Sequence, residues 1–177
     1  TVQKAIDLGI TLLDMAPSYG NGEAELVVGA AFDGNLPAGV RVSTKHRLGE
    51  TNPDKIEQDI RRGLTESLKR LRLEKVDLFF LHSNIIPHDF DASVYVTRPA
   101  TRWHVYKEHF IPTCKKLVAE GKIGAWSITG IGVPECLLAA LELDDKPAAV
   151  QCITNLLDSP GDLKYFPGPS RAREIIK

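Results

Sequence analysis

Short apolar runs alternate along this chain with longer segments whose apolar residues recur every three or four positions. The runs have the length of buried strands, and the periodic segments predict amphipathic helices. Strands are predicted over residues 10–13, 40–44, 76–81, 123–128 and 148–153. Helices are predicted over residues 2–8, 23–32, 53–71, 103–119 and 134–143, and residues 170–177 begin another. The chain therefore predicts an α-β unit five times in succession.

Local signals support several of these boundaries. Gly9 follows the first helix at the position where glycine commonly ends one. Asn52 and Pro53 provide an N-cap and a first helical residue for the third helix. Within the second helix, Leu26, Val27 and Ala30 are apolar at helical spacing. Residues 83–100 have no clear period and are predicted to form a loop.

Alternation of strands and helices predicts parallel βαβ units. An open sheet that binds a dinucleotide would carry a glycine-rich fingerprint after its first strand. Residues 14–23 lack that fingerprint, which favours a closed (β/α)8 TIM barrel. A complete barrel typically needs about 250 residues, whereas this chain has 177. We therefore expect one domain over residues 1–177, an incomplete barrel of about five βα units.

Polar side chains end three consecutive strands. Asp14, Lys45 and His82 each follow an apolar run, and Tyr19 lies in the loop after the first. Each alone has an ordinary explanation as a turn, solvated or packing residue. In a parallel barrel, however, the carboxyl ends of all strands converge on the face that holds the active site. Their occurrence together therefore predicts one catalytic cluster.

This set of side chains suits proton transfer to an oxygen. An ammonium group stabilises a nearby phenolate, so a phenol beside it is a usable general acid. A carboxylate would hold the ammonium in place, and a neutral imidazole could orient a substrate oxygen. Reduction of a carbonyl generates an alkoxide that needs such a proton. Hydride transfer is cofactor chemistry, so a nicotinamide or flavin is implied.

Composition narrows the possible partners and the compartment. The net charge of −1 gives no attraction to nucleic acid or to an anionic membrane. No apolar stretch approaches the roughly 20 residues that span a bilayer. The three cysteines are widely spaced with no CxxC pair, which argues against a disulfide framework or zinc site and fits a reducing cytoplasm. We expect them to be small buried hydrophobic residues.

The remaining histidines and aromatics are less informative. His104 and His109 are five positions apart, not four, so the prediction is a solvated helix face and no metal site. His46 should point away from Lys45 because strand side chains alternate. Aromatic residues in and after the 83–100 loop either border a substrate pocket or pack the loop down: Phe90, Tyr95 and Trp103.

Several motifs resemble those of the aldo-keto reductase family. Residues 9–23 read GITLLDMAPSYGNGE, close to the family signature, with Met15 where a threonine is usual. The segments VSTK at 42–45 and DLFFLH at 77–82 resemble two further strands of the family. GKIG at 121–124 and VQ at 150–151, followed by Asn155, resemble two more. The resemblance extends to about residue 158.

The resemblance implies roles for particular residues. Asp14, Tyr19, Lys45 and His82 match the catalytic tetrad, with Tyr19 as the proton donor. Gln151 matches the residue that binds the nicotinamide carboxamide, and Thr129 and Asn155 match further cofactor-binding positions. Where the family usually has Ser-Asn after the preceding strand, this chain has Thr129 followed by Gly130.

The implied activity is NADP- or NAD-dependent reduction of small aldehydes or ketones to alcohols, or the reverse. Because the family's first strand and final βα units have no counterpart here, the chain is expected to be a fragment. Two other functions stay open: a non-catalytic binding or regulatory subunit of the same fold, and a barrel lyase in which Lys45 forms a Schiff base.

Overall fold

The computed structural model describes residues 1–49, 52–91, 100–153 and 171–177. Its strands are β1 Leu12–Asp14, β2 Arg41–His46, β3 Val76–Leu81, β4 Asn84–Ile86, β5 Ala100–Arg102, β6 Ile123–Gly130 and β7 Val150–Cys152. Its α-helices are α1 Val2–Asp7, α2 Glu23–Phe32, α3 Ile56–Leu71, α4 Trp103–Val105, α5 Ile111–Ala119, α6 Pro134–Glu142 and α7 Ala172–Ile175. Two short segments, Tyr19–Gly22 and Pro53–Lys55, are 3₁₀-helices, and Tyr106–Phe110 is a π-helix.

Five strands form one parallel sheet in the order β1-β2-β3-β6-β7. This is chain order, the order of a barrel in which each helix returns the chain to the neighbouring strand. Four strand spacings separate β1 from β7, about 19 Å in a flat sheet. Yet the side chain of Gln151 in β7 lies close enough to Asp14 in β1 to lower the pKa of its carboxyl group. The sheet is therefore strongly curled, and the predicted incomplete (β/α)8 barrel is confirmed.

The pairing register of the strands shows which side chains point into the barrel and which point outward. Lys45 pairs with Phe80, which pairs with Ser127, so these three side chains lie in one interior row. The alternate side chains point outward beneath the helices, and Phe79 among them is fully buried. The helix α3 covers this outer face with the stripe expected from its sequence: Ile56, Ile60, Leu64, Leu68 and Leu71.

Four of the five predicted strands have different bounds in the structure; β6 continues to Gly130, and β7 is confined to Val150–Cys152. The first strand begins at Leu12, not at residue 10, because the N–H of Ile10 donates to the carbonyl of Ala5 and closes α1. The second strand runs to His46, beyond the predicted end at 44, because His46 still pairs with Leu81 of β3. Lys45 thus lies inside its strand.

The helix α2 has the predicted bounds but a different buried face. Leu26 and Val27 are exposed, whereas Glu25, Val28 and Phe32 are buried. The reason is that α2 packs closely against α3 at Gly29. A Cβ atom at this position would lie only 2.2 Å from the carbonyl oxygen of Arg70, so only glycine fits. Packing at this glycine turns the side of α2 that carries Glu25 toward the protein interior.

The predicted loop at 83–100 contains a second, small sheet. β4 and β5 pair in parallel, and β4 is bridged to the main body where Ile85 pairs with Gly132. The free thiols of Cys114 and Cys136 are buried, as expected, and burial raises the pKa of Cys136 to about 11. Cys152 is only partly buried. In the part of the chain described here, no helix is long and apolar enough to cross a membrane.

Candidate active site

The four residues predicted to form a catalytic cluster lie together at the carboxyl ends of three adjacent strands. Asp14 is the last residue of β1, Lys45 the penultimate residue of β2, and His82 directly follows β3. Tyr19 begins the 3₁₀ turn that leads into α2. Because β1, β2 and β3 are neighbours in the sheet, residues far apart in sequence meet at one end of it.

Lys45 is the centre of the cluster. Its side chain is 1% exposed, and its Nζ donates to Oδ1 of Asp14 at 2.6 Å and to the carbonyl of Met15 at 3.0 Å. The same nitrogen lies 4.7 Å from the centre of the Tyr19 ring and 5.8 Å from that of Phe80. A buried ammonium group is thus fixed by one carboxylate, one carbonyl and two aromatic faces.

Asp14 is held as a carboxylate. Burial alone would raise its pKa, but hydrogen bonds from Lys45, Ser43 and Gln151 outweigh burial and lower the pKa below its ordinary value. The hydroxyl of Ser43 donates to Oδ1 at 2.6 Å, the same oxygen that Lys45 contacts. The negative charge that fixes Lys45 is therefore present throughout the neutral range.

Tyr19 and His82 form the open side of the cluster. Their rings meet edge to face with centroids 6.3 Å apart. The Tyr19 residue is 38% exposed, in contrast to the buried Lys45. The backbone N–H of His82 donates to the carbonyl of His46 at 2.7 Å, which continues the β2–β3 pairing past the end of β3. A phenol and an imidazole therefore face a space that a small molecule can reach.

The residues predicted to bind cofactor lie on the next two strands. Thr129 in β6 and Gln151 in β7 are paired in register. The Thr129 hydroxyl donates to the carbonyl of Leu81 at 2.9 Å and is buried, so its remaining capacity is as an acceptor. Gln151 is partly exposed and reaches Asp14. Asn155 lies outside the described residues.

These observations fit one part of a nicotinamide cofactor. A primary amide at the carboxyl edge of β7, beside the Asp14 cluster, offers both a donor and an acceptor to a carboxamide. At Gly130, a Cβ would lie 3.1 Å from Cα of Cys152 and 3.2 Å from the carbonyl of Gln151. The close approach of β6 and β7 therefore leaves little room for a side chain at Gly130. Gln151 would hold the carboxamide.

Sequence reasoning missed two contributors, Ser43 and Phe80. Ser43 lies two residues before Lys45, so alternation places both on the interior face, and this signal could have identified it. Phe80 is paired with Lys45 in register, which only the strand pairing reveals.

A buried carboxyl group, that of Glu25, contacts β2 on the outer face of the sheet, opposite to Lys45. Glu25 of α2 is fully buried and accepts from the hydroxyl of Thr44 at 2.6 Å and from Nε of Arg70 at 2.7 Å. Thr44 immediately precedes Lys45 and points to the opposite side of the sheet. The carboxylate of Glu25 therefore links α2, β2 and α3 directly beneath the cluster.

His46 lies on the same outer face, as strand alternation predicts. Its Nε2 lies 3.1 Å from the carboxylate of Asp59 in α3, and its ring stacks on Phe79. Burial lowers the pKa of His46 below its ordinary value of 6.5, although Asp59 acts in the opposite direction. The unfolded chain therefore takes up this proton at a higher pH than the folded chain does.

We expect the free energy of unfolding to decrease as the pH falls below about 6.5, because protonation of His46 favours the unfolded state. The variant His46→Gln should show a shallower decrease between about pH 7.5 and 5, measured by urea unfolding at each pH. The slope is compared, and not the absolute stability, since the variant also loses ring packing. His109→Gln controls for loss of an imidazole elsewhere. A variant that kept the full wild-type slope would contradict the assignment to His46.

Comparison with known proteins agrees with this arrangement. A family model described as the aldo/keto reductase family matches residues 1–166. Methylglyoxal reductase YeaE of Escherichia coli (strain K12) is 28% identical over 154 residues, which cover 87% of this chain and 45% of that protein.

Solved structures resemble the chain over most of its length. An aldo/keto reductase from Klebsiella pneumoniae, in complex with NADP and acetate, has a TM-score of 0.64 and 26% identity, covering 98% of this chain and 53% of that one. Another from Klebsiella pneumoniae, in complex with NADPH, has a TM-score of 0.63 and 28% identity, covering 92% and 50%. The chain thus spans about half the length of each of these relatives. With nearly its whole length matched by the family model, the chain belongs to the aldo/keto reductase family.

Proposed function

We propose that the protein containing this chain is an NADP(H)-dependent oxidoreductase that interconverts small aldehydes or ketones and their alcohols. The observation that carries the proposal is the contact between Lys45 and both Asp14 and Tyr19 at the carboxyl ends of the strands. Family membership supports an oxidoreductase, and the two related structures bound to NADP and NADPH favour NADP(H) over NAD(H).

Each residue of the cluster has a part in moving one proton. The Tyr19 hydroxyl donates a proton to the substrate oxygen, and the Lys45 ammonium stabilises the phenolate that is left. Asp14 keeps Lys45 in position and charged, and Ser43 in turn holds Asp14. Since Tyr19 is partly exposed, solvent can return the proton. His82, across from the Tyr19 ring, hydrogen-bonds the substrate oxygen and orients the carbonyl.

The cofactor, when bound, supplies the hydride. Gln151 would fix the carboxamide of its nicotinamide ring at the edge of β7, next to Asp14. Gln151 itself lies beside the residues proposed to handle the proton. A cofactor held by Gln151 would thereby be linked through one side chain to the Lys45–Asp14 pair.

A Schiff-base reaction at Lys45 is not favoured by these contacts. A lysine attacks a carbonyl as the neutral amine, which needs an apolar or cationic environment. Lys45 instead donates to a carboxylate and a carbonyl and lies against two aromatic rings. The carboxylate of Asp14, 2.6 Å from the Lys45 nitrogen, makes this environment neither apolar nor cationic.

The test is consumption of NADPH by the protein expressed from its complete reading frame. Methylglyoxal is the first substrate to assay, because YeaE is named as a methylglyoxal reductase. Aromatic aldehydes, short aliphatic aldehydes and ketones complete the panel, and NADH is compared with NADPH. We expect turnover with at least one aldehyde and tighter binding of NADPH than of NADH.

Two results would overturn the proposal. Binding of NADPH with no turnover of any carbonyl would indicate a non-catalytic subunit. Trapping of a substrate on Lys45 by borohydride, lost in Lys45→Arg, would indicate a Schiff-base enzyme.

A further inference from the structure

Two histidines face each other away from the active site. Nδ1 of His88 lies 2.9 Å from Nδ1 of His104, and the ring centroids are 4.6 Å apart with planes inclined by 72°. His88 is exposed and His104 is partly exposed. Solvent ions therefore have access to both rings. The sequence predicted only a solvated helix face for His104 and did not predict its contact with His88.

The small sheet brings the two histidines together. β4 and β5 run parallel, and Ile86 at the end of one pairs with Arg102 at the end of the other. His88 and His104 each lie two residues farther along, so the register that pairs Ile86 with Arg102 also aligns the histidines. Strand periodicity cannot reveal such a pair, since its members lie beyond the ends of two different strands and meet only because β4 pairs with β5.

The backbone on both sides of the pair is held in place. Nη1 of Arg102 donates to the carbonyl of His88 at 2.6 Å and to that of Phe90 at 3.1 Å. His104 is the second residue of α4 and is fixed by the start of that helix. The two imidazoles are thus presented on a scaffold that limits their separation, which lowers the entropy lost when both bind one ligand.

We infer that His88 and His104 form a two-histidine site for a divalent transition metal ion with tetragonal geometry, Cu²⁺ above all. For metal–nitrogen bonds of about 2.05 Å, a nitrogen separation of 2.9 Å corresponds to a ligand angle of about 90°. A tetrahedral ion would need nitrogens about 3.3 Å apart. Adjacent ligands at a right angle are typical of Cu²⁺ and Ni²⁺, and Cu²⁺ stands highest in the general order of affinity.

Protons and other ligands set further properties of the site. At 2.9 Å one Nδ1 donates and the other accepts. A metal ion binds both Nδ1 atoms when each neutral imidazole carries its proton on Nε2, so the donor histidine changes tautomer and no proton is lost. Among the residues that the structure describes, no group of three histidine, cysteine or carboxylate side chains could hold a metal ion. Water molecules complete the coordination, and the ion exchanges readily.

The test is titration of the 177-residue chain with Cu²⁺, Ni²⁺ and Zn²⁺ separately, by calorimetry in a weakly coordinating buffer. Electron paramagnetic resonance of the Cu²⁺ form reports how many imidazole nitrogens are bound. We expect one Cu²⁺ per chain with two nitrogen ligands, and weaker binding of Ni²⁺ and Zn²⁺. His88→Ala and His104→Ala should each weaken Cu²⁺ binding at least tenfold, whereas His109→Ala should match the wild type.

His88→Gln and His104→Gln distinguish a metal site from a hydrogen-bonded pair. The glutamine amide can keep the polar contact but is a poor ligand for Cu²⁺, so each should behave as the alanine variant does. Full Cu²⁺ affinity and a two-nitrogen spectrum in either single variant would overturn the inference. Equal weakening in His109→Ala would overturn it as well, because the ion would then bind the surface without using this pair.

Discussion

Tyr19→Phe should lower kcat for carbonyl reduction by about 10²–10⁴-fold, the usual contribution of a positioned general acid. The substitution removes only the hydroxyl. The ring that lies 4.7 Å from Lys45 remains, so the packing of the ammonium group is preserved. Because the hydroxyl acts on the substrate oxygen, we expect the affinity for NADPH to be unchanged. Steady-state assays with the best aldehyde, together with direct NADPH titration, separate the two effects.

Tyr106→Phe is the matched control for this change. Tyr106 lies on the π-helix Tyr106–Phe110, is fully buried and packs on Phe110 and Trp103. Burial raises the pKa of its hydroxyl far above the range in which it could exchange a proton. Loss of this hydroxyl should leave kcat close to that of the wild type. If Tyr19→Phe retained full activity, or if both variants lost it equally, the role proposed for Tyr19 would be wrong.

The parts of the fold that the sequence predicts well are those with local signals. The strand β3 and the helix α2 begin and end at the predicted residues, because apolar runs and turn residues mark both limits. Asp14, Lys45 and His82 could be placed on one face, because parallel strands share their carboxyl ends. Their hydrogen bonds could not be predicted, since these depend on the register between strands.

Features created by distant contacts escaped prediction. β4 and β5 are three residues each and are separated by a long segment, so neither has a recognisable pattern by itself. The buried face of α2 was obscured because a charged residue, Glu25, is buried while Leu26 is exposed. Hydrophobicity alone cannot anticipate a carboxylate whose partners come from another helix and a strand.

Loss of the ion pair between Glu25 and Arg70 is expected to have a large effect on stability. Arg70→Met should reduce the free energy of unfolding by about 3–5 kcal/mol, since removal of one partner leaves a buried charge uncompensated. Glu25 is fully buried, and Thr44 is its other hydrogen-bond partner in the described part of the chain. A loss of this size is a large part of the roughly 5–15 kcal/mol that typical domains possess. Urea unfolding measures it.

Arg72→Met is the matched control, two positions along the chain. Arg72 pairs with Asp33 at 2.6 Å, but their side chains are 55% and 76% exposed. Solvent screens such a pair, so its loss should cost no more than about 1 kcal/mol. The two substitutions are chemically identical and differ in the burial of the carboxylate that each leaves behind. Equal losses in both variants would contradict the importance assigned to burial of Glu25.

A double variant separates the uncompensated charge from lost packing. Glu25→Gln replaces the carboxylate by an amide that can still accept from the hydroxyl of Thr44. Combined with Arg70→Met, it removes both charges and should recover at least about 1 kcal/mol relative to Arg70→Met alone, because the two sites are in direct contact. No recovery would mean that Arg70 acts through its packing beneath Gly22, where its Cδ lies 3.0 Å from the position of a Cβ. Recovery would show that the stability of the fold around β2, the strand that carries Lys45, depends on neutralising the buried charge of Glu25.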